Sequence, residues 1–201
     1  MPKIVGEKIA FDSKWLQVVE LTLKNKAGEL SPYFSFRYPW SNSTGVAILC
    51  YRDVEFKRED FPPGEAPQDY GYDGTHREFL GRYEFLPAHG EEMKLGSITG
   101  GYDKPSESYL ECAVRELEEE GGFTVIDNSK VIRLGTTRNS KSSDNIMHLF
   151  AVDVKDCATT IAMGDGTTGE EGSYVKWVNE ADAVWSDDVL LPAMIQRLQS
   201  L

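Results

Sequence analysis

One segment near the middle of the chain constrains the fold more than any other: GGYDKPSESYLECAVRELEEEGGF, Gly100 to Phe123. It holds seven acidic side chains, and four of these fall within five positions: Glu116, Glu118, Glu119 and Glu120. Carboxylates at helical spacing repel one another and oppose helix formation. A helix here therefore needs either full solvation of its charges or a positive partner.

The same segment carries the start and stop signals of a helix. Ser108 followed by Glu111 three residues later is the pattern of a capping box. The pair Gly121 and Gly122 predicts the helix end. Between these signals, apolar residues recur at the i, i+3, i+4, i+7 spacing that predicts one buried stripe: Leu110, Ala113, Val114 and Leu117.

A second face of the predicted helix gathers negative charge. At about 100° per residue, three carboxylates fall together beside the buried stripe, with Arg115 at their edge: Glu116, Glu119 and Glu120. Converging oxygen ligands suit a hard divalent cation such as Mg²⁺ or Mn²⁺, which would also remove the repulsion. The alternative is a solvated acidic face, because exposed charge is the norm on helices.

The residues around the helix follow the pattern G-x5-E-x7-R-E-U-x-E-E-x-G-U, where U is apolar. Nine fixed positions within 23 residues are filled, by Gly101, Glu107, Arg115, Glu116, Leu117, Glu119, Glu120, Gly122 and Phe123. This segment resembles the Nudix box, and the chain is therefore similar to Nudix hydrolases. These enzymes cleave a nucleoside diphosphate linked to another group, with the help of one to three divalent metal ions.

The resemblance implies an α+β fold, with a mixed β-sheet sandwiched between helices and the box as a loop–helix–loop. It also implies the metal ligands and catalytic acids, which would be the three helix carboxylates and one backbone carbonyl: Glu116, Glu119, Glu120 and Gly100 or Gly101. Glu107 and Arg115 would form a structural ion pair that orients Glu116.

The N-terminal region predicts a β-hairpin, because residues 14–23 and 31–38 are rich in β-branched and aromatic residues around a turn. It resembles the hairpin that helps to build the homodimer of ADP-ribose pyrophosphatases and supplies aromatic residues that stack on adenine. Trp15 and Tyr33 fall where those residues would lie, although Trp15 could equally pack within the hairpin. We therefore divide the chain into a hairpin extension, 1–40, and a catalytic domain, 41–201.

Further substrate and catalytic residues follow from the same subfamily resemblance. Arg37 is a candidate substrate contact. Leu86 stands where the subfamily usually has an arginine, and Arg82 is the nearby residue that could replace it. Glu170 and Glu171 lie in an acidic loop whose glutamate binds metal or acts as the base in those enzymes; the alternative is a solvated pair.

The rest of the chain predicts further strands, a long loop over 55–78, and a second, glycine-rich loop over 164–172. The strands are expected at 45–51, 79–86, 130–137, 146–154 and 173–178. Apolar residues at helical spacing predict a closing helix between Asp187 and Leu201.

Composition limits the partners. With 21 basic and 33 acidic residues the formal charge is -12, and no basic run suggests nucleic-acid binding. Three cysteines without short spacing predict reduced thiols. With no signal core or membrane-spanning run, we expect a cytoplasmic protein.

The expected function is metal-dependent hydrolysis of ADP-ribose or a related nucleoside diphosphate sugar. The alternatives are a Nudix hydrolase of dinucleoside polyphosphates or nucleoside triphosphates, and a nucleotide-binding sensor. A sensor is disfavoured because it typically loses box carboxylates. Isomerisation of an isopentenyl-type diphosphate is also disfavoured, because no cysteine stands in a reactive context.

Overall fold

The computed structural model describes residues 1–57, 73–90, 92–162 and 171–201. In these ranges the strands are β1 (Lys3–Asp12), β2 (Gln17–Lys24), β3 (Leu30–Arg37), β4 (Thr44–Lys57), β5 (Asp73–Phe85), β6 (Met93–Gly96), β7 (Ile98–Gly101), β8 (Phe123–Val125), β9 (Ile132–Thr137), β10 (Ile146–Asp153), β11 (Cys157–Thr159) and β12 (Tyr174–Asn179). The helices are α1 (Tyr109–Glu116), α2 (Glu180–Val184) and α3 (Leu190–Gln199), and a π-helical turn (Leu117–Gly121) continues α1.

A mixed seven-stranded sheet forms the centre of the molecule, in the order β12-β5-β4-β10-β9. β10 runs parallel to β4, and every other pairing in this sheet is antiparallel. β7 pairs with the first half of β4, and β6 pairs with the end of β5. These two short strands bring the segment before α1 onto the sheet.

Helices cover both faces of this sheet, and β4 shows the alternation. Val46, Ile48 and Cys50 point into the core that contains Ala113 and Leu117 of the box helix. The intervening residues of β4 point into the opposite core, which is closed by α2 and α3. The predicted α+β class, with a mixed sheet between helices, is confirmed.

The box helix begins and ends where its sequence signals predict. Ser108 Oγ accepts a hydrogen bond from Glu111 N, and the Glu111 carboxylate accepts one from Ser108 N, so the capping box is complete. The π-helical turn ends at Gly122, whose φ of +73° is a left-handed conformation that glycine adopts without strain. Ala113 and Leu117 are fully buried, as expected for the apolar stripe.

The N-terminal hairpin is confirmed, but it is part of a three-stranded sheet. β2 pairs with β3 as predicted, and β1 adds a third strand along β2. Most β1 residues are exposed, so their sequence lacks the alternation that marks a half-buried strand. One of its contacts with the rest of the molecule is at Phe36, whose N–H donates to Ser142 O at 2.7 Å.

The loop predicted over 55–78 is wrong at both ends. β4 continues to Lys57 and β5 starts at Asp73, so only residues 58–72 lie between them, outside the described ranges. Cross-strand ion pairs stabilise this polar ribbon: Arg77 contacts Asp53 at 2.7 Å, and Arg52 contacts Glu78 at 2.6 Å. The pairs join residues that are far apart in the sequence. The polar composition of each segment therefore predicted a loop and did not indicate that the two segments pair as strands.

The other predicted elements are found within a few residues of their expected bounds. The four short strands β6, β7, β8 and β11 and the short helix α2 were not predicted, because each is too brief for a periodic signal. Most of the predicted loop 164–172 lies outside the described residues. No helix within the described ranges is long and apolar enough to cross a bilayer.

Candidate active site

A cavity of about 1050 Å³ opens where β7, the box helix and the segment before α3 meet. Its walls include both β7 glycines and the charged residues of the box helix and its π-helical turn: Gly100, Gly101, Arg115, Glu116, Glu119 and Glu120. The cavity is also lined by Trp40, Glu84, Leu86 and Asp187.

Arg115 connects the acidic residues of this wall. Its Nε lies 2.9 Å from Glu107 Oε1, and its Nη1 lies 2.8 Å from Glu116 Oε1 and 2.9 Å from Glu119 Oε2. Hydrogen bonding to Arg115 lowers the pKa of the Glu107 carboxyl, and the same bond raises the pKa of Arg115. One guanidinium therefore orients three carboxylates, two of them predicted metal ligands.

Glu116 is the most buried of these carboxylates, with 8% of the residue exposed. Burial raises the pKa of its carboxyl to about 7; Arg115 opposes the shift, and Glu120 and Glu119 add to it. The carboxylate lies directly against β7, because a Cβ added to Gly100 would overlap it. Glycine at this position allows the acid to approach the backbone.

Glu120 points in a different direction, towards the sheet. Its Oε1 forms an ion pair with Nη1 of Arg82, whose side chain is 4% exposed. A second nitrogen of Arg82 donates to Ser173 Oγ at 3.4 Å. Arg82 is not among the residues that line the cavity within the described ranges.

Trp40 was not among the predicted site residues, yet its ring lies against Gly101, where an added Cβ would overlap it. It belongs to a 3-10 turn, Pro39–Ser41, between the N-terminal sheet and β4. Trp15 packs edge-on against Trp40 with ring centroids 5.9 Å apart, and remains 58% exposed. The sequence signal that could have identified Trp40 is its position as an aromatic residue shortly before β4, the first buried strand.

Three other predicted site residues are not among the residues that line the cavity in the described ranges: Tyr33, Arg37 and Glu171. The Tyr33 hydroxyl donates to Lys141 O at 3.0 Å. Arg37 pairs with Glu7 at 2.8 Å and with Asp144 at 3.5 Å, within and beside the N-terminal sheet. Glu171 is exposed shortly before β12, and Glu170 lies outside the described residues.

The acidic wall fits a divalent cation by its chemistry. All its side-chain donors are carboxylate oxygens, the ligands that Mg²⁺ and Mn²⁺ prefer. Burial is the main cause of the raised pKa of Glu116, and the neighbouring carboxylates of Glu120 and Glu119 add to the shift. In the described ranges no three acidic, histidine or cysteine side chains already stand in metal-binding geometry. The arginine contacts hold these carboxylates in their present positions.

The chain is similar to known proteins in both sequence pattern and fold. Residues 75–198, more than half of the chain, match the family model of the NUDIX domain. The solved structure of an ADP compounds hydrolase has a TM-score of 0.67 at 18% identity, covering 99% of this chain and 92% of its own.

Two further solved structures are less similar. A NUDIX hydrolase from Nitrosomonas europaea has a TM-score of 0.48 at 16% identity, covering 78% of this chain and 88% of its own. For a complex of an Ap4A hydrolase from C. elegans the TM-score is 0.42 at 16% identity, with 78% and 95% covered. A search of curated proteins found no match.

Proposed function

The chain belongs to the NUDIX family and is a Nudix pyrophosphohydrolase, and on that premise we propose its substrate and cofactor. The substrate is ADP-ribose or a related nucleoside diphosphate sugar. A divalent metal ion, Mg²⁺ or Mn²⁺, assists the cleavage, and the products are a nucleoside monophosphate and a sugar phosphate.

One observation carries this proposal: two adjacent glycines of β7 separate an acidic surface from an aromatic one. The Glu116 carboxylate lies against Gly100, and the Trp40 ring lies against Gly101. A cation-binding wall suits a diphosphate, and an indole face suits a nucleobase. A ligand that carries a base and a diphosphate can reach both surfaces in one cavity. The likeness of the whole chain to an ADP compounds hydrolase supports the same substrate class.

The residues present divide the chemical work. When bound, the metal ion would be held by Glu116, Glu119, Glu120 and a β7 carbonyl, and it would neutralise the diphosphate and activate water for attack on phosphorus. Arg115 orients Glu116 and Glu119, and Glu107 holds Arg115 from the other side. We assign acceptance of the water's proton to the acidic loop, at Glu170 or Glu171.

The test is a substrate panel with Mg²⁺ and chromatography of the products. We expect ADP-ribose or an ADP-sugar to give AMP and a sugar phosphate, and excess chelator to stop the reaction. Preference for dinucleoside polyphosphates or nucleoside triphosphates would replace the proposed substrate. No turnover of any compound would favour a nucleotide-binding sensor. The panel includes several ADP-sugars, because Leu86 lines the cavity in place of the arginine that is usual in ADP-ribose pyrophosphatases.

The aromatic surface predicts a binding defect without a chemical one. We expect Trp40→Ala and Trp15→Ala each to raise KM for ADP-ribose about tenfold while kcat stays nearly constant. An aromatic contact contributes about 0.5–1.5 kcal/mol, and a ring remote from phosphorus stabilises ground and transition states alike. Steady-state kinetics measures both constants. Trp185→Ala, at a position 86% exposed, is the control; an equal effect there, or an unchanged KM in both variants, would contradict the role.

We further propose that the N-terminal sheet forms a homodimer. Its strands expose apolar side chains that a monomer would leave in water, and the strand register places three of them on one face: Phe11, Leu30 and Phe34. Exposed apolar residues that form a patch are typical of interaction sites. Trp15, in the turn that joins β1 to β2, is the residue we propose to contribute to the partner's site, in addition to its contact with Trp40.

Sedimentation velocity over a range of concentrations measures the oligomeric state. We expect a dimer for the unaltered chain and a shift to monomer for Phe34→Lys, because a buried charge at the interface is costly. Ile161→Lys introduces the same charge at a residue 79% exposed outside the sheet. This control should remain dimeric, and a strictly monomeric unaltered chain would contradict the proposal.

A further inference from the structure

Arg82 is an arginine in an unusual place, with only 4% of its surface exposed. It lies in β5 between two other strands, opposite Gly96 of β6 and Val175 of β12. Arginine is almost never this buried unless its charge is paired. The position of its backbone is fixed from both sides by the sheet.

The guanidinium contacts two segments that belong to the candidate active site. Nη1 pairs with Glu120, the last of the three helix carboxylates, whose side chain is 11% exposed. Nη2 donates to Ser173 Oγ at 3.4 Å, two residues after Glu171. The side chain therefore connects the end of the box helix to the segment that follows the acidic loop.

We infer that Arg82 is a positioning residue: held by the sheet, it orients the Glu120 carboxylate as a metal ligand and does not contact the substrate. This assignment replaces the substrate contact expected from the sequence. Glu120 lines the cavity, whereas Arg82 is absent from the lining residues of the described ranges. Arg82 thus contacts the face of Glu120 that lies towards the sheet.

Two arginines then support the acidic wall from different sides. Arg115 holds Glu116 and Glu119 from within the helix, and Arg82 holds Glu120 from the sheet. Residues that hydrogen-bond to a metal ligand fix its orientation, and their loss typically costs about 10–100-fold in metal affinity. Without Arg82, the Glu120 carboxylate would lose the ion pair that holds it towards the sheet and would no longer keep its present orientation.

The inference rests on the proposed metal site, and its test measures metal binding directly. Free Mn²⁺ is followed by electron paramagnetic resonance during titration of the full chain. We expect Arg82→Gln to weaken Mn²⁺ binding about 10–100-fold. The Mn²⁺ affinity of Arg82→Lys should lie between those of Arg82→Gln and the unaltered chain, because lysine keeps the charge but cannot contact both Glu120 and Ser173 as arginine does. Arg77→Gln, on the same strand but in a surface pair with Asp53, is the matched control and should bind as the unaltered chain does.

Kinetics at saturating Mn²⁺ separates positioning from substrate binding. We expect the KM of Arg82→Gln to stay within about twofold of normal, since only the metal ligand is disturbed. A raised KM with unchanged Mn²⁺ affinity would overturn the inference and restore a substrate contact. Tighter Mn²⁺ binding would also overturn it, because Arg82 would then act as a competing cation.

A double-mutant cycle tests whether Arg82 acts through Glu120. In a Glu120→Gln background, Arg82→Gln should have no further effect on Mn²⁺ affinity, and additive losses would overturn the inference. Circular dichroism checks the fold of each variant. If Arg82→Gln does not fold, Arg82→Lys decides: unaltered Mn²⁺ affinity overturns the inference, and weakened affinity supports it.

The failures of the two proposals can be told apart. Absence of Mn²⁺ binding by the unaltered chain would contradict the proposed metal site and this inference together. Equal binding by the unaltered chain and Arg82→Gln would contradict only the role of Arg82.

Discussion

Glu119→Gln is expected to lower kcat at least about 100-fold while the chain stays folded. A metal ion contributes several kcal/mol of transition-state stabilisation in such reactions, and each 1.4 kcal/mol is a factor of ten in rate. The side chain of Glu119 is 42% exposed and contacts Arg115 at 2.9 Å. Removing one charge from a repulsive cluster should not destabilise the helix. Initial rates with ADP-ribose and saturating Mg²⁺, beside a thermal melt, measure both effects.

Glu118 offers a matched control for this variant. It lies in the same π-helical turn, next to Glu119, but is exposed and is not among the lining residues. Glu118→Gln removes the same charge from the same turn, and its kcat should stay within about twofold of normal, as expected of an exposed residue away from the site. Equal losses in the two variants would show that general charge, and not ligation, matters. Full activity of Glu119→Gln would remove Glu119 from the mechanism.

Arg115→Ala is expected to destabilise the fold as well as to impair catalysis. Its removal leaves Glu107, Glu116 and Glu119 without their shared partner. Loss of one member of a buried ion pair costs about 3–5 kcal/mol, and we expect about 3 because the side chain of Arg115 is 22% exposed. For a chain of 201 residues this lowers Tm by about 6–12 °C.

Arg77→Ala provides the comparison for the stability measurement. Its pair with Asp53 lies on the polar ribbon of β4 and β5, with side chains 35% and 47% exposed. A surface pair of this kind contributes about 0–1 kcal/mol. Urea denaturation should therefore show a clearly larger loss of unfolding free energy for Arg115→Ala than for Arg77→Ala. An Arg115→Ala variant with unchanged stability and turnover would show that the ion-pair network has no function.

Local sequence signals predicted the box helix well. Its capping box, its glycine stop and its buried stripe each depend on residues within one or two turns of each other. Ser108 and Glu111 cap one another, and Gly122 ends the π-helical turn, because no distant contact competes with them. The Nudix pattern lies in this same segment, so the family could be identified before the fold was known.

Contacts between residues far apart in the sequence were not predicted. Trp40 reaches the site because its ring packs on Gly101, and Arg82 takes its position because Glu120 neutralises it inside the sheet. Trp15 was expected either to stack on adenine or to pack within the hairpin; its ring packs against Trp40, a partner outside the hairpin that the sequence did not indicate. Neither the composition of a sequence nor the spacing of its residues predicts which side chains come into contact when distant segments pack together.

The π-helical turn Leu117–Gly121 makes the site sensitive to chain length. A π-turn contains one residue more than the corresponding α-helical turn, and Glu119 and Glu120 lie within it, whereas Glu116 lies before it. A deletion within this turn that restored regular α-helix would retain all three carboxylates in the sequence. It would nevertheless rotate Glu119 and Glu120 about the helix axis relative to Glu116. Insertions and deletions in this turn should therefore impair the site as much as substitutions of the acidic residues themselves, and selection should act against both.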